Sequence, residues 1–322
     1  MKRIGVLTSG GDAPGMNACV RAVVRAALYR NVETIGILQG YAGLGSGNFQ
    51  PLTSRSVGGI ARWGGTILQT MRCEEFRTPD GFQKALNSIR TAGIEGLVVI
   101  GGDGSLRGAR ELHRAGIPCV GAPGSIDNDL WGTDMSIGVD TATNTILEAI
   151  DKIKDTASAH QRAFIIEVMG RRSGYLALAA GVAGGAEMVI VPERPIGLED
   201  IVSEMAAARK RGKPHFIIVV AEGARPTATE ICECLSTVAG PKYEARLTVL
   251  GHVQRGGSPT ASDRLLATKL GAYTVELLLG GQSGVMAGIR SGKPIAVPLD
   301  EVLAEDRPAD QELIRLEEMM AL

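Results

Sequence analysis

Two doubly wound, Rossmann-like three-layer α/β domains with mostly parallel sheets are the fold class this sequence predicts, on three observations. Short apolar runs each break into a glycine-rich or acidic turn and then a helical pattern, and such β-turn-α alternation implies parallel strands with right-handed crossovers. The same grammar recurs in both halves, and 322 residues leave room for two domains with a core each. Glycine is in excess, 43 residues against roughly 7% of an ordinary composition. It clusters as Gly-Gly pairs after apolar runs, where tight turns and close ligand approaches are built.

Composition narrows the function classes. A hydrophobic fraction of 44% and a charged fraction of 21% describe an ordinary globule. With a net charge of −1 and 4% aromatic residues, neither nucleic acid nor an anionic membrane is expected as a partner. Cys19, Cys73, Cys119, Cys232 and Cys234 are scattered, with no second pair to complete a zinc site. They are expected as reduced thiols of a cytoplasmic protein. The first residues begin like a signal peptide, but Ser9-Gly-Gly-Asp-Ala-Pro-Gly15 interrupts them. No apolar run reaches the ~18 residues of a membrane span.

Taken in order, Lys2–Thr8 is a strand, and Asn17 is placed as N-cap of a helix over Ala18–Tyr29. The intervening turn would present backbone N–H groups to an anion, although it matches neither G-x-x-x-x-G-K-S/T nor G-x-G-x-x-G. Arg21 and Arg25, four apart on this helix, suit a solvated face or a phosphate site. Glu33–Gly40 is the next strand, followed by Tyr41 and a loop, then an irregular basic stretch through Arg62, Arg72 and Arg77. A helix over Gly81–Ala92 feeds a strand over Gly96–Gly101 and the turn Gly102-Asp-Gly-Ser105; Leu106–Ala115 is helical.

The strand that follows, Ile117–Ala122, leads to Pro123-Gly-Ser-Ile-Asp-Asn-Asp129. Read as extended backbone, that stretch puts Asp127 and Asp129 on one side, with Asn128 turned away. Two carboxylates at a parallel strand's C-terminal end suit proton transfer or a divalent cation; an Asp-rich turn capping the next helix has the same composition. The second acidic glycine turn, about twenty residues earlier, points to one site. Thr141–Ala157 and Leu198–Arg211 are helices; Arg162–Val168, Glu187–Val191, His215–Ala221 and Arg246–Leu250 are strands. Asp263–Leu279 is a further helix, and Met286–Arg290 with Pro294–Val297 a closing strand pair. Acids Asp103, Asp127, Asp129 and Glu222 and bases Arg72, Arg162, Arg171, Arg246, His252 and Arg255 then fall at strand ends. That inventory suits a phosphorylated substrate, a nucleotide and Mg²⁺, held in the cleft between the domains.

Several stretches carry a specific likeness: Ile4-Gly-Val-Leu-Thr-Ser-Gly-Gly-Asp-Ala-Pro-Gly-Met-Asn17, Val98-Val-Ile-Gly-Gly-Asp-Gly-Ser105, Pro123–Asp129, His160-Gln-Arg162, Glu167-Val-Met-Gly-Arg171 and Val249–Pro259. Nearly end to end and in order, the chain resembles the bacterial ATP-dependent 6-phosphofructokinases. The resemblance implies phosphoryl transfer from MgATP to the 1-hydroxyl of fructose 6-phosphate, in a homotetramer. It makes Asp127 the general base beside Asp129, and Asp103 the Mg²⁺-binding acid. Gly11, Arg72, Cys73, Gly102, Gly104, Ser105 and Gly108 correspond to the nucleotide site, with Arg72 and Arg171 meeting charge on the transferred phosphoryl. Arg162, Arg246, His252 and Arg255 match the binders of the 6-phosphate, Arg162 and Arg246 reaching it from a neighbouring subunit. Ser125, Ile126, Met169, Gly170, Glu222, Val253 and Gln254 correspond to the sugar site. Arg21, Arg25, Lys154, Gly185, Glu187, Arg211, Lys213 and His215 match an effector site for ADP and phosphoenolpyruvate.

Relatives that use pyrophosphate carry Asp where this chain has Gly104 and Lys where it has Gly124, so both glycines imply ATP. Ser125 replaces the usual Thr, Trp63 stands where many relatives have Arg, and Ser54 and Gly59 replace an Arg and an Asp found in some members. The expected division is 1–138 plus 254–304 as a larger ATP-binding domain, and 139–253 plus 305–322 as a smaller sugar-phosphate domain. Lipid and NAD kinases share a Gly-Gly-Asp-Gly turn but lack the Asp127/Asp129 and His252–Arg255 stretches. A regulatory subunit without catalysis would lack the base or the magnesium acid, and this chain has both.

Overall fold

A run such as Leu97-Val-Val-Ile100 offers no polar face, so it is stable only as a strand covered on both sides. The computed structural model describes residues 1–160, 162–213, 215–238 and 245–320; Gln161, within the His160–Arg162 match, lies outside them. By its internal contacts the chain forms two units. One holds Met1–Ile126, Leu130–Thr141 and Arg255–Arg307; the other holds Asp127–Asp129, Ala142–Gln254 and Pro308–Leu322.

The first unit is built on seven strands: β1 (Arg3–Ser9), β2 (Glu33–Ile37), β3 (Phe49–Leu52), β4 (Gly96–Gly101), β5 (Cys119–Pro123), β10 (Val285–Arg290) and β11 (Lys293–Pro298). Their order is β11-β10-β5-β4-β1-β2-β3, parallel throughout except for the antiparallel edges β3 and β11. Alternate strand residues face opposite sides. Leu7, Ile37, Leu97 and Val99 share a core with α2 (Gly40–Ser46), α3 (Pro79–Thr91), α4 (Asp103–Arg114) and α10 (Leu299–Ala304). Against the other face lie α1 (Met16–Tyr29) and α9 (Ala261–Leu279), which pack on each other. Gly271 permits that approach, because a Cβ there would lie 2.7 Å from the Cys19 carbonyl oxygen.

The second unit holds a four-stranded parallel sheet of β6 (Ala163–Val168), β7 (Met188–Ile190), β8 (Phe216–Ala221) and β9 (Ala245–Val249), in the order β7-β8-β6-β9. Its helices are α5 (Val139–His160, which begins in the first unit), α6 (Tyr175–Ala183), α7 (Leu198–Lys210), α8 (Ala228–Val238) and α11 (Gln311–Met320). An edge strand leaves backbone donors unpaired, and α11 closes the edge at β7. Glu317 accepts from the Val189 N–H at 3.0 Å and pairs with Arg194 at 2.5 Å. Among the described residues no helix is long and apolar enough to cross a membrane.

Three local expectations are corrected. Asn17 is no cap: α1 already starts at Met16, after a left-handed Gly15, and the buried Asn17 side chain instead reaches the 63–67 loop. Gly40 opens α2, where a strand end and loop were expected; burial of Tyr41 and Leu44 overrides the poor helix propensity of a glycine-rich segment. Gly102–Ser105 is not a free turn, since Gly102 is the N-cap of α4 and Asp103 its first residue.

The first turns of α5 and α9 cap one another. Buried Asp263 accepts from the N–H groups of Gly138 and Thr141, both at 2.8 Å, and from the Thr141 hydroxyl at 2.5 Å. In return Thr260 accepts from the Asp263 N–H and donates to Asp140. Desolvation raises the Asp263 carboxyl above its ordinary range even against these bonds. The folded chain therefore holds this proton more tightly than the unfolded one, so this contribution to stability is full in acid and falls as pH rises through the raised value. Asp263→Ala leaves three buried donors without their acceptor and should cost about 2–4 kcal/mol. Denaturant titrations should show that cost, with a smaller gap at neutral pH than below the carboxylate range.

Candidate active site

In an open parallel sheet, ligands bind at the C-terminal strand ends where connections depart in opposite directions. In the first unit β1 is that point, with β2 on one side and β4 on the other. The turns after β1, β4 and β5 meet there. Gly10 (φ 84°) lies against Ser105, a Cβ on Gly101 would collide with the Ser9 carbonyl, and the Gly124 N–H donates to the Gly101 carbonyl at 3.0 Å. A Cβ on Gly102 would stand 3.6 Å from that of Ser125. The three turns read from the sequence therefore form one cradle of backbone.

Two glycines of α4 have different reasons to be bare. A Cβ on Gly108 would run into the Tyr41 ring at 2.5 Å, so packing explains Gly108, which the resemblance placed at the nucleotide. The Tyr41 hydroxyl then donates to the Ser105 carbonyl at 2.6 Å, fixing the first turn of α4. Around Gly104 nothing lies within 4 Å, so no protein atom demands a glycine there. Asp103, half exposed, accepts from Arg107 Nε at 3.0 Å, and this partner raises the Arg107 pKa. Among the described residues no three His, Cys, Asp or Glu side chains gather to hold a metal. A divalent cation at Asp103 would meet one hard carboxylate and take its other ligands from water or phosphate, which suits Mg²⁺.

Sequence reasoning overlooked what holds the 62–69 loop. Asn17 donates to the carbonyls of Trp63 and Gly64 and accepts from the Ile67 N–H, Thr8 bonds Thr66 at 2.8 Å, and Ser258 donates to the Arg62 carbonyl. No local pattern in the sequence signals these long-range partners. Arg72 follows this loop, exposed, and Cys73, partly buried, packs against the core beneath α2 and α3.

The Asp127/Asp129 geometry is also corrected. β5 ends at Pro123, the backbone turns at Ile126–Asp127, and Asn128 takes a left-handed φ of 48°. The alternation argument for a shared side therefore does not apply. Asp127 is nevertheless buried, at 4% exposure, beside the fully buried Ile126.

In the second unit the C-terminal ends of β6, β8 and β9 come together. Met169 donates its N–H to Gln254 Oε1 at 3.1 Å, and Arg171, left-handed at φ 54°, donates its N–H to Glu222 at 2.8 Å. Gln254 is wholly buried and also donates to the Gly251 carbonyl, so it fastens the turn bearing His252 and Val253, both exposed. Burial first, and then Glu222, raises the Glu167 carboxyl. Gly170 is required because a Cβ would strike the Ser173 carbonyl.

Arg162 and Arg246 belong to the other end of this sheet. Arg162 precedes β6, and Arg246 lies level with Phe164 near the start of β9. At ~3.3 Å per residue, Arg162 is about 20 Å along the strand from Met169. Both therefore stand at strand starts, as the expected strands Arg162–Val168 and Arg246–Leu250 have them. The residues matched to an effector also divide. Lys154 donates to the carbonyls of Gly184 and Gly185, and Glu187 accepts from the Ile217 N–H with Lys213 3.7 Å away. His215 is next to β8, and Arg211 pairs with Glu204 at the end of α7. Arg21 and Arg25 belong to the first unit, on α1, beside a groove of about 350 Å³ against α9; Arg25 donates to the Ser54 carbonyl. Arg255, in the first unit, donates to the Asp12 carbonyl at 3.1 Å.

The chain matches the family model described as phosphofructokinase over residues 3–278. It is 53% identical to the ATP-dependent 6-phosphofructokinase of Halalkalibacterium halodurans and 51% identical to that of Bacillus licheniformis, each over the full length of both chains. A crystal structure of Pichia pastoris phosphofructokinase superposes with a TM-score of 0.92 at 36% identity, covering 99% of this chain and 39% of that one.

The two α4 glycines give a stability test. Gly104→Ala should be neutral or stabilising by up to ~1 kcal/mol, through helix propensity alone. Gly108→Ala should destabilise by about 1–3 kcal/mol through overpacking against Tyr41. Equal effects in thermal unfolding would contradict this division.

Proposed function

The chain belongs to the phosphofructokinase family, and from that premise we propose that it transfers the terminal phosphoryl of ATP to the 1-hydroxyl of fructose 6-phosphate. The observation that carries the donor is Gly104, bare with nothing in the chain crowding it, within a cradle of three backbone turns. A carboxylate at 104 would occupy and repel the nucleotide's phosphates, and a lysine at 124 would suit pyrophosphate instead. The backbone of Gly11, Gly102 and Ser105 binds the nucleotide, and Asp103 holds Mg²⁺. When bound, Mg²⁺ neutralises charge on the terminal phosphates. Arg72 and Arg171 meet the charge that develops during transfer. Asp127 takes the hydroxyl proton as the O–P bond forms, with Asp129 beside it. Met169, Glu222 and Ser125 orient the sugar, and His252 serves its 6-phosphate. The reaction places the enzyme in glycolysis, in the cytoplasm.

Arg162 lies about 20 Å of strand away from Met169, and Arg246, level with Phe164, about 17 Å. We infer that they serve the 6-phosphate site of a neighbouring copy, in a homotetramer. ADP and phosphoenolpyruvate are the proposed effectors; a shift of the fructose 6-phosphate saturation curve by either one measures this.

A coupled assay on the purified protein should give turnover with ATP and not with pyrophosphate; the reverse would overturn the donor assignment. Asp127→Ser should lower kcat about 10²–10⁴-fold with little change in affinity for fructose 6-phosphate. Near-normal kcat would remove Asp127 from the mechanism and make Asp129 the candidate. Sharing between copies has its own measurement. Arg162→Ser and Asp127→Ser proteins, each nearly inactive at low substrate, should recover activity when their subunits are mixed and reassembled. If the mixture stays at the sum of its parts, the sites are not shared.

A further inference from the structure

Neighbouring residues Gln254 and Arg255 have separate attachments. Gln254 is spent inside the second unit, on Met169 and Gly251. Arg255 begins the chain's return to the first unit and lies over the β1 turn. Its Nη1 donates to the Asp12 carbonyl at 3.1 Å, and a Cβ on Gly11 would stand only 2.4 Å from the same nitrogen. A side chain at position 11 would therefore move the guanidinium from its place. The family resemblance gives Arg255 only to the sugar 6-phosphate, yet here it touches the turn that receives the nucleotide.

We propose that Arg255 is a positioning residue for the nucleotide: its guanidinium holds the Gly10–Asp12 turn in the shape that binds the terminal phosphates, and adds positive charge beside them. A left-handed Gly10 followed by a second glycine has little conformational preference of its own. A charged donor anchored on the next carbonyl supplies the missing restraint, and a guanidinium within reach of a phosphate makes charge-assisted hydrogen bonds of its own. The inference rests on the kinase reading above.

The test is calorimetric titration of the full-length protein with Mg²⁺ and the β,γ-imido analogue of ATP, without any sugar phosphate. Loss of one charge-assisted bond predicts affinity about tenfold weaker in Arg255→Ala. Arg255→Lys, which keeps the charge and one donor, should recover part of that loss and keeps the test valid should the alanine protein fail to fold. Nucleotide affinities equal to wild type in the variants, with only the KM for fructose 6-phosphate raised, would confine Arg255 to the sugar phosphate and overturn the inference. A wild-type chain that does not bind the analogue would overturn the kinase reading itself, and this inference with it.

Discussion

Asp263 ties the point where the chain leaves the first unit to the point where it has returned. The exit lies after Thr141 and the return at Arg255, and a single buried carboxylate spans the two through Gly138 and Thr141. Burying a carboxylate is costly unless its oxygens are satisfied. Here two of the three donors are N–H groups of the kind every helix leaves unpaired at its start, so two deficits offset one another. Everything between residues 142 and 254, including the whole four-stranded sheet, is inserted between these pinned positions.

The cradle depends on the same economy of backbone. Parallel pairing of β1 with β4 and of β4 with β5 brings three successive turns level with one another. They can touch only because Gly10, Gly101 and Gly124 carry no side chains. The same economy explains the room taken by Arg255 at Gly11. A side chain on that residue would displace the guanidinium before any ligand arrived.

The second sheet separates what the sequence lists together. Residues matched to the sugar, Met169, Arg171 and Glu222, are bonded around the C-terminal ends of β6 and β8. Those matched to a neighbour's 6-phosphate lie at strand starts, Arg162 just before β6 and Arg246 second in β9, and the residues around Glu187 and Lys213 also lie at strand starts. A strand is a rigid spacer of fixed length, so the two ends of one sheet can serve different ligands without touching.

Most elements were legible in the sequence, because strand and helix follow from apolar periodicity and from glycine-rich breaks, which are local. Gly96–Gly101 and the closing strand pair were readable on that basis. Even α9 carried its own sign in Thr260 and Asp263, three apart as in a capping motif, although the helix was read only from Asp263. What the sequence left open is where each polar side chain finds its partner. Asn17 looked like a cap and is the anchor of a loop fifty residues away, and no local pattern announces that Gln254 is wholly buried and bonded to Met169. Asp127 and Asp129 were placed by strand geometry that ends before them, at Pro123. Gly104 and Gly108 are alike as letters, and only the Tyr41 ring tells them apart. Periodicity is a property of neighbours along the chain, whereas a hydrogen bond or a steric fit is a property of neighbours in space, and only the folded structure decides those.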